Sequence, residues 1–380
     1  MTNQAKIALE LQPCCWDRSG IGTYTYEIAT RLRDNEDMKF CGNLFNFCGR
    51  RDNTEALKGL GMPVRENRIL PYGVYRRIWN WIPIPYQCLF PGKADISIFF
   101  NFIVPPHTKG KILTVVHDLT YLRYPETMKC SNLRHLERGI ASSIKRSDKI
   151  LTVSEFSKKE IQELLHVPAE RIAIVPNAPS LPEGYADYRE ICRKYGIHGP
   201  YILFVSTIEP RKNIVRLILA FERLKTVHRL PHMLVLAGGK GWQDAEILRM
   251  AKEISCAEEV IFTGYVSAEE KKTLYQHADV FVFPSIYEGF GIPPLEAMSL
   301  GCPVVCSDRA SMPEVVGEAA CMVNPFDEES IASGILHVLS DPAYAQILTK
   351  KGYLQAKRFS WEKSADDLIA ICRELLEKTE

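Results

Sequence analysis

The sequence predicts an α/β protein of two domains, each built on a parallel β-sheet. First, its 380 residues exceed what one small domain needs. Second, short runs rich in Val, Ile, Leu and Phe show no alternation of polar and apolar residues, which is typical of strands covered on both faces. Third, amphipathic stretches separate these runs, which indicates βαβ units with right-handed crossovers.

The predicted strands fall into two series with a loop-like stretch between them. The first series is Lys6–Leu11, Phe40–Asn46, Ile96–Phe100, Lys111–His117, Lys149–Ser154 and Arg171–Pro176. The second series is Tyr201–Thr207, Met233–Gly238, Val260–Tyr265, Val280–Pro284, Pro303–Ser307 and Cys321–Asn324. Between them, residues 177–186 carry two prolines and a glycine, so we expect domains at 1–180 and 181–359. Residues 360–380 predict a final amphipathic helix.

Composition indicates a folded, water-soluble chain without a nucleic-acid partner. The formal net charge is only +1, and charged residues make up 24%. The 12 cysteines contain no CxxC pair, which favours reduced thiols over disulfides or zinc. The strand pattern begins at Lys6 without a secretory signal, and no apolar stretch is long enough to span a membrane. We therefore expect a cytoplasmic protein, free or peripheral at the inner face of the plasma membrane.

The stretch Leu70–Phe90 mixes aromatic residues with Arg76 and Arg77. It permits two interpretations: core beneath a loop, or an interfacial surface that meets a lipid-linked substrate.

The stretch FPSIYEGFGIPPLEAM, residues 283–298, carries the strongest chemical signal. Gly289 and Gly291 flank Phe290 where a strand ends and a helix begins, so backbone amides and the helix N-terminus can approach a diphosphate or sugar hydroxyls. Glu288 and Glu296 bracket this turn, and each carboxylate can accept hydrogen bonds from a vicinal diol. One glutamate is expected to hold ribose and the other the hexose.

Further candidates follow other predicted strands. Arg211 and Lys212 suit a diphosphate and the charge that develops on a leaving group. His117 ends a strand where functional groups collect, and we predict a hydrogen-bonding role for it rather than general-base catalysis. Gly20 and Gly22 lie in a loop expected to precede a helix from about Tyr24, which indicates either a phosphate-binding loop or a plain tight turn.

Together these motifs resemble the retaining glycosyltransferases of the GT4 family. SGIGTYTYE, VVHDL, TVSEFS, VPNA, STIEPRKN, LAGGKGW, TGYV and the glutamate motif occur in the family's order over nearly the whole chain. The resemblance implies the GT-B fold: two Rossmann-like α/β/α domains with parallel sheets facing a central cleft, and a C-terminal helix that crosses back to the first domain.

The resemblance also implies site residues and a reaction. His117, Glu288, Arg211 and Lys212 would be catalytic. The donor-binding set would include Arg211, Lys212 and Glu288 again. Its other members would be Gly20, Gly22, Thr207, Gly239, Tyr265, Val266, Gly289, Phe290, Gly291 and Glu296. The implied enzyme retains anomeric configuration, needs no metal or other cofactor, and uses a nucleotide sugar.

VVHDLTYLRYPE together with STIEPRKN looks like bacterial mannosyl- or rhamnosyltransferases of O-antigen and other polysaccharide assembly. The likeness favours GDP-mannose as donor, with dTDP-rhamnose, another deoxyhexose or a UDP-hexose as alternatives. The expected acceptor is a glycan, or one linked to polyprenyl diphosphate, and the oligomeric state stays open.

Functions of other classes fit less well. An NAD-dependent oxidoreductase would need GxGxxG after the first strand, but the third glycine position holds Thr25. A two-carboxylate hydrolase would have no use for a phosphate-binding apparatus. A non-catalytic nucleotide-sugar-binding protein would not need the full set of motifs, and neither a phosphorylase nor an epimerase matches them.

Overall fold

The computed structural model describes residues 4–15, 20–33, 35–49, 57, 59–79, 81–82, 84–90 and 92–377. These residues form two compact units. The first takes the described residues within 1–121, 130–177 and 360–380, and the second takes 122–129 and 178–359. Residues 122–129 therefore pack in the second unit, although they lie within the range 1–180 that the sequence analysis gave to the first domain. Among the described residues, no helix combines the length and apolar character needed to cross a membrane.

The first unit contains a seven-stranded parallel sheet in the order β3-β2-β1-β4-β5-β6-β7. Its strands are β1 (Ala5–Glu10), β2 (Met38–Phe45), β3 (Val64–Asn67), β4 (Ile96–Phe99), β5 (Lys111–Val115), β6 (Lys149–Thr152) and β7 (Ile172–Ile174). The predicted strands of this half are confirmed near their expected bounds, and β3 was not predicted. It is an edge strand that carries Arg65 and Glu66, so it lacks the apolar signal of a buried strand.

The helices of the first unit cover its sheet. They are α1 (Gly20–Leu32), α2 (Tyr72–Ile78), α3 (Thr120–Arg123, which runs into the second unit), α4 (Cys130–Arg146), α5 (Glu155–Leu165) and the C-terminal α14 (Trp361–Glu377). Contacts that hold α14 include a hydrogen bond from the Ser364 hydroxyl to the Pro176 carbonyl at 2.7 Å, an ion pair of Lys149 with Glu374 at 2.9 Å, and edge-on packing of Trp361 against Tyr24.

The second unit contains a six-stranded parallel sheet in the order β10-β9-β8-β11-β12-β13. Its strands are β8 (Tyr201–Val205), β9 (Met233–Ala237), β10 (Val260–Gly264), β11 (Val280–Phe283), β12 (Val304–Ser307) and β13 (Cys321–Val323). Its helices are α6 (Tyr188–Tyr195), α7 (Ile214–Thr226), α8 (Ala245–Glu253), α9 (Ala268–His277), α10 (Ile292–Ser299), α11 (Met312–Val316), α12 (Glu328–Ser340) and α13 (Pro342–Ala356).

Strand order determines where each unit can bind a ligand. In the second unit the chain runs from β8 to β10 toward one edge and from β11 to β13 toward the other. Open parallel sheets bind ligands outside the carboxyl ends of the strands at such a reversal, here between β8 and β11. In the first unit the same argument selects the ends of β1 and β4.

The stretch Leu70–Phe90 contains both buried core residues and exposed surface residues, so each of the two interpretations holds for part of it. Tyr75, Tyr86 and Phe90 are buried, as the core interpretation requires. Trp81 is 85% exposed and Ile82 is 48% exposed, as the surface interpretation requires.

Candidate functional site

The loops that follow β8 and β11 bring two cations and a carboxylate together at the strand reversal of the second unit. Lys212 Nζ lies 2.6 Å from Glu288 Oε1, and Arg211 lies 2.9 Å from Glu288 Oε2. Arg211 also donates to the Tyr287 carbonyl at 2.7 Å and pairs with Glu209 at 2.8 Å. Arg211, Lys212 and Glu288, which were all predicted to be catalytic, are therefore in direct contact. Glu209, for which no role was predicted, joins the cluster through Arg211.

Lys212 and Glu288 are buried, Arg211 is nearly so, and cations and carboxylates are paired within the cluster. Burial alone would raise the pKa of Glu288, but the charges and hydrogen bonds of Arg211 and Lys212 outweigh that effect and hold the pKa at about 2. Glu288 is therefore a carboxylate at neutral pH, able to accept hydrogen bonds and unable to act as a general acid. Glu209 is also buried beside Arg211, so the two cations face two carboxylates.

The loop before α10 is held in place by Ser311. The Ser311 hydroxyl lies 2.9 Å from the Glu288 carbonyl oxygen and 3.0 Å from that of Phe290. Phe290 is buried and packs edge-on against Phe359, with ring centroids 5.3 Å apart. Gly291 adopts φ +98°, and a Cβ there would lie 2.5 Å from Met312 Cε. Only glycine fits this turn without displacing its neighbour.

The N-terminus of α10 offers fewer backbone donors than the sequence suggested. Pro293 and Pro294 occupy the first turn and carry no N–H. Any anion at this terminus would contact the amides of Gly289 to Ile292 and the helix dipole, not a full first turn of N–H groups.

Glu296, inside α10, is buried and already hydrogen-bonded. Lys271 Nζ lies 2.6 Å from its Oε1, and the Tyr275 hydroxyl donates to its Oε2 at 3.1 Å. Both partners come from α9, whose start is fixed by a capping box between Ser267 and Glu270. A diol ligand at Glu296 must therefore share the carboxylate with Lys271.

The remaining predicted residues of this unit lie beyond the ends of β8, β9 and β10. Thr207 is exposed after β8, Tyr265 is 69% exposed after β10, and Val266 beside it is buried. Gly239 accepts from the Ile208 N–H at 3.0 Å, and a Cβ on Gly239 would meet nothing within 4 Å. These residues share one edge of the sheet with Glu288, but they do not form a closed cluster with it.

In the first unit, His117 follows β5 and is buried among aromatic rings. Its Nε2 lies 2.8 Å from the Phe100 carbonyl oxygen, and the Tyr24 ring stands perpendicular to it at 5.1 Å. Burial lowers the pKa of His117 despite that hydrogen bond. Since a carbonyl only accepts, Nε2 carries the proton, and Nδ1 is left as the atom for any ligand contact.

The prediction of a loop at Gly20 and Gly22 is wrong. Helix α1 begins at Gly20, earlier than the expected start near Tyr24, so both glycines lie in its first turn and Gly22 is buried. Glycine is a weak helix former, which explains why its presence suggested a loop. The first-turn amides still lack helical partners, but Ser19 lies outside the described residues.

The buried carboxyl of Glu10 was not predicted from the sequence either. Glu10 ends β1 at the strand reversal of the first unit, and its Oε1 accepts from the Gln12 N–H at 3.1 Å. Burial raises the pKa of Glu10 to about 8, and this hydrogen bond offsets only part of the shift. Nothing in the sequence around Glu10 indicates that the end of β1 is buried.

Within the described residues, no three His, Cys, Asp or Glu side chains come together in a way that could hold a metal ion.

Two family models match the chain, one in each half. The model described as "Glycosyl transferases group 1" covers residues 188–355, and "Glycosyltransferase Family 4" covers residues 18–178.

A curated relative extends the match over nearly the whole chain. The chain is 33% identical to the O-antigen chain mannosyltransferase B of Escherichia coli, over 96% of this chain and 98% of that protein. It is 32% identical to the O-antigen chain mannosyltransferase RfbU of Salmonella typhimurium, over 68% of each protein.

Solved structures share the fold at low identity. Sucrose-phosphate synthase from Thermosynechococcus elongatus superposes with a TM-score of 0.77 at 18% identity, over 99% of this chain and 100% of that one. Anabaena Alr3699/HepE in complex with UDP and glucose superposes with a TM-score of 0.72 at 16% identity, over 98% and 100%. With the two parallel sheets, these likenesses confirm the predicted α/β fold of the GT-B type.

Proposed function

Because this chain belongs to the group 1 and family 4 glycosyltransferases and serves polysaccharide synthesis, we propose that it transfers mannose from GDP-mannose to a glycan acceptor. Two of its relatives are O-antigen mannosyltransferases, which supports mannose over other hexoses. The complex of Alr3699/HepE with UDP supports a nucleoside diphosphate as the carrier. The proposed acceptor is a growing glycan, free or linked to a lipid.

The observation that carries this proposal is the buried cluster of Arg211, Lys212 and Glu288 at the reversal between β8 and β11. Arg211 and Lys212 supply fixed positive charge for a diphosphate leaving group. Glu288, held ionised, accepts a hydrogen bond from a donor hydroxyl and stabilises positive charge that develops on the sugar ring.

The proposed reaction proceeds with retention at the anomeric carbon. The bond from C1 to the donor phosphate oxygen breaks, and the acceptor oxygen attacks C1 from the same face. The acceptor proton passes to the leaving phosphate, so no side chain has to act as base. A Glu288 that stays ionised fits this scheme, because a glycosidase-like step would need a carboxyl of raised pKa as its acid.

We also propose that the reaction needs no divalent cation. In metal-dependent transferases the metal neutralises the diphosphate, and here Arg211, Lys212 and the dipole of α10 would do so.

A thermal-shift series tests the donor and the metal together. The protein is melted with GDP-mannose, UDP-glucose and dTDP-rhamnose, each with and without EDTA. A ligand at about 100 times its Kd stabilises the native state by about 2.7 kcal/mol, which raises the Tm by several degrees. We expect the largest rise with GDP-mannose, unchanged by EDTA. A larger rise with another sugar nucleotide would overturn the mannose assignment, and a rise lost in EDTA would overturn metal independence.

Substitutions then test the cluster in a transfer assay. Glu288→Gln keeps the side-chain shape but removes the charge, and we expect kcat to fall by roughly 100- to 1,000-fold, as for the loss of one transition-state contact. Glu183→Gln, an exposed loop residue of the same unit, is the control and should behave as wild type. Full activity in Glu288→Gln would refute the assigned role, and an α-linked product by NMR would confirm retention.

A further inference from the structure

A lysine for which no role was predicted lies beside Glu296. Lys271 ends the first turn of α9, which follows β10, and Glu296 lies in the second turn of α10, which follows β11. Lys271 Nζ and Glu296 Oε1 are 2.6 Å apart. Because both helices begin beyond the carboxyl ends of strands, this pair lies near the edge at which an open parallel sheet binds its ligand.

The carboxylate of Glu296 faces solvent on the side of Lys271. Tyr275, which donates to Oε2 at 3.1 Å, is completely buried. The Glu296 side chain is only 3% exposed, whereas the Lys271 side chain is 24% exposed. Of these three side chains, Lys271 is the one that solvent reaches, so a ligand that contacts Glu296 also contacts the ammonium group.

Both groups of this pair keep unused hydrogen-bonding capacity. An ammonium group carries three N–H bonds, and within the described residues Lys271 contacts one acceptor, Glu296. A carboxylate has about four lone-pair positions, and the described residues occupy two of those on Glu296. Lys272, the next residue, differs because it is buried and its ammonium donates to the Pro182 and Glu183 carbonyl oxygens. Lys271 and Glu296 therefore present N–H groups and acceptor oxygens side by side.

A hydroxyl group is the ligand that matches this pair. It donates its O–H to Glu296 and accepts an N–H from Lys271 at the same time. A phosphate would be attracted by Lys271 but repelled by Glu296, and a carbonyl oxygen would have no hydrogen to donate to the carboxylate. A vicinal diol extends the match, because its second hydroxyl can donate to the same carboxylate.

We infer that Lys271 is a specificity-determining residue: with Glu296 it binds the vicinal diol of ribose, so ribonucleotides bind better than 2′-deoxyribonucleotides. The inference rests on the proposed function, in which a nucleoside diphosphate carries the sugar and Glu288 holds a sugar hydroxyl. Sites built around a hydroxyl reject analogues that lack it, because their buried polar groups are then left unpaired. Lys271 therefore favours GDP- and UDP-sugars over dTDP-rhamnose, whose ribose is 2′-deoxy.

Calorimetric titration of the full chain tests this inference. GDP, 2′-deoxy-GDP and 3′-deoxy-GDP are each titrated into wild type, a Lys271→Met variant and a Lys194→Met control. In wild type, loss of the hydroxyl that contacts both Lys271 and Glu296 should raise Kd by roughly 30-fold, because it removes hydrogen bonds to charged groups. In Lys271→Met only the bond to Glu296 remains, and the same loss should raise Kd by about fivefold.

Two further variants control for charge and for shape. Lys194 Nζ lies 2.6 Å from Glu270 Oε1, so Lys194→Met makes the same change in another lysine–glutamate pair of α9. Its ratio of Kd values should stay within about twofold of wild type, because exposed ion pairs contribute little. Lys271→Arg keeps charged N–H groups beside Glu296 and should keep the ratio within about threefold of wild type. A loss in Lys271→Arg as large as in Lys271→Met would contradict the hydrogen bond to ribose.

Three results would overturn the inference. Equal ratios for both deoxy nucleotides in wild type and Lys271→Met would show that Lys271 takes no part in binding ribose. Tighter binding of GDP by Lys271→Met would show that Lys271 competes with ribose for Glu296 instead of binding with it. Equal Kd values of wild type for GDP and both deoxy nucleotides would show that no ribose hydroxyl is bound. This last result decides even if Lys271→Met does not fold.

The same titrations with UDP, 2′-deoxy-UDP and 3′-deoxy-UDP separate this inference from the proposed function. Binding of the UDP series without binding of GDP would overturn GDP-mannose as the donor, while a Kd ratio that depends on Lys271 would still support the inference. Binding of GDP without any effect of the ribose hydroxyls would leave the donor assignment in place and overturn the inference. Binding of neither series to wild type would overturn both.

Discussion

Glu288→Gln is also a direct test of how the buried charges of the second unit stabilise it. The folded pKa of about 2 lies well below the ordinary 4.5, and this difference corresponds to about 3 kcal/mol of favourable interaction in the ionised state. Because the folded pKa is depressed, this stability is present above pH 4.5 and is lost as the pH falls toward 2. The variant cannot ionise, so it lacks the contribution at every pH.

The assay is calorimetric unfolding of wild type and variant at about pH 7 and about pH 3. We expect the variant to be less stable by about 3 kcal/mol at pH 7, which for a unit of this size lowers its Tm by roughly 6–12 °C. At pH 3 the difference should shrink to about 1 kcal/mol, because much of the wild-type contribution has been titrated away. Equal stability at pH 7 would refute the charge argument. A difference independent of pH would assign the loss to packing, and Glu183→Gln should change neither value.

Two further predictions concern residues outside that cluster. Burial raises the pKa of Glu10 to about 8, so the contribution of Glu10 to stability is fully present below pH 4.5 and is lost as the pH rises toward 8. Glu10→Gln keeps an oxygen for the Gln12 N–H and cannot ionise. Its stability relative to wild type should therefore increase by about 4 kcal/mol as the pH rises from 5 to 8. The Tm of both proteins is measured across this pH range, and parallel profiles would contradict the prediction. Gly291→Ala places a Cβ against Met312 at positive φ and should cost about 1–3 kcal/mol in urea unfolding. Gly199→Ala, where a Cβ meets nothing within 4 Å, should be neutral, and similar losses in both would refute the strain argument.

Apolar runs were sufficient to predict the strands because a parallel strand is buried on both faces and must be apolar throughout. Tyr201–Val205 and Met233–Ala237 are buried at every position, and both were found near their predicted bounds. Val64–Asn67 was missed because it pairs on one side only. Its charged residues protect an edge instead of filling a core.

The site was predictable to the extent that its residues follow strands in one contiguous motif. Arg211, Lys212 and Glu288 come together because the ends of β8 and β11 are neighbours in the sheet. The partners of Glu296 could not be predicted in the same way. Lys271 belongs to α9, and only the packing of α9 against α10 brings it to the carboxylate.

Charge balance in the second unit follows from the same contacts and bears on how a donor is held. Two cations left buried without anions would be costly, so Glu209 and Glu288 neutralise Arg211 and Lys212 while no ligand is bound. A nucleoside diphosphate adds at least two negative charges to this neutral cluster. The phosphates of the proposed donor must therefore accept N–H hydrogen bonds that Arg211 and Lys212 otherwise donate to Glu288, and a sugar hydroxyl must donate to Glu288 in their place. On this argument the diphosphate and the sugar hydroxyl must bind together, because one removes hydrogen bonds from Glu288 and the other replaces them. GDP alone should therefore leave Glu288 with fewer hydrogen bonds than GDP-mannose does.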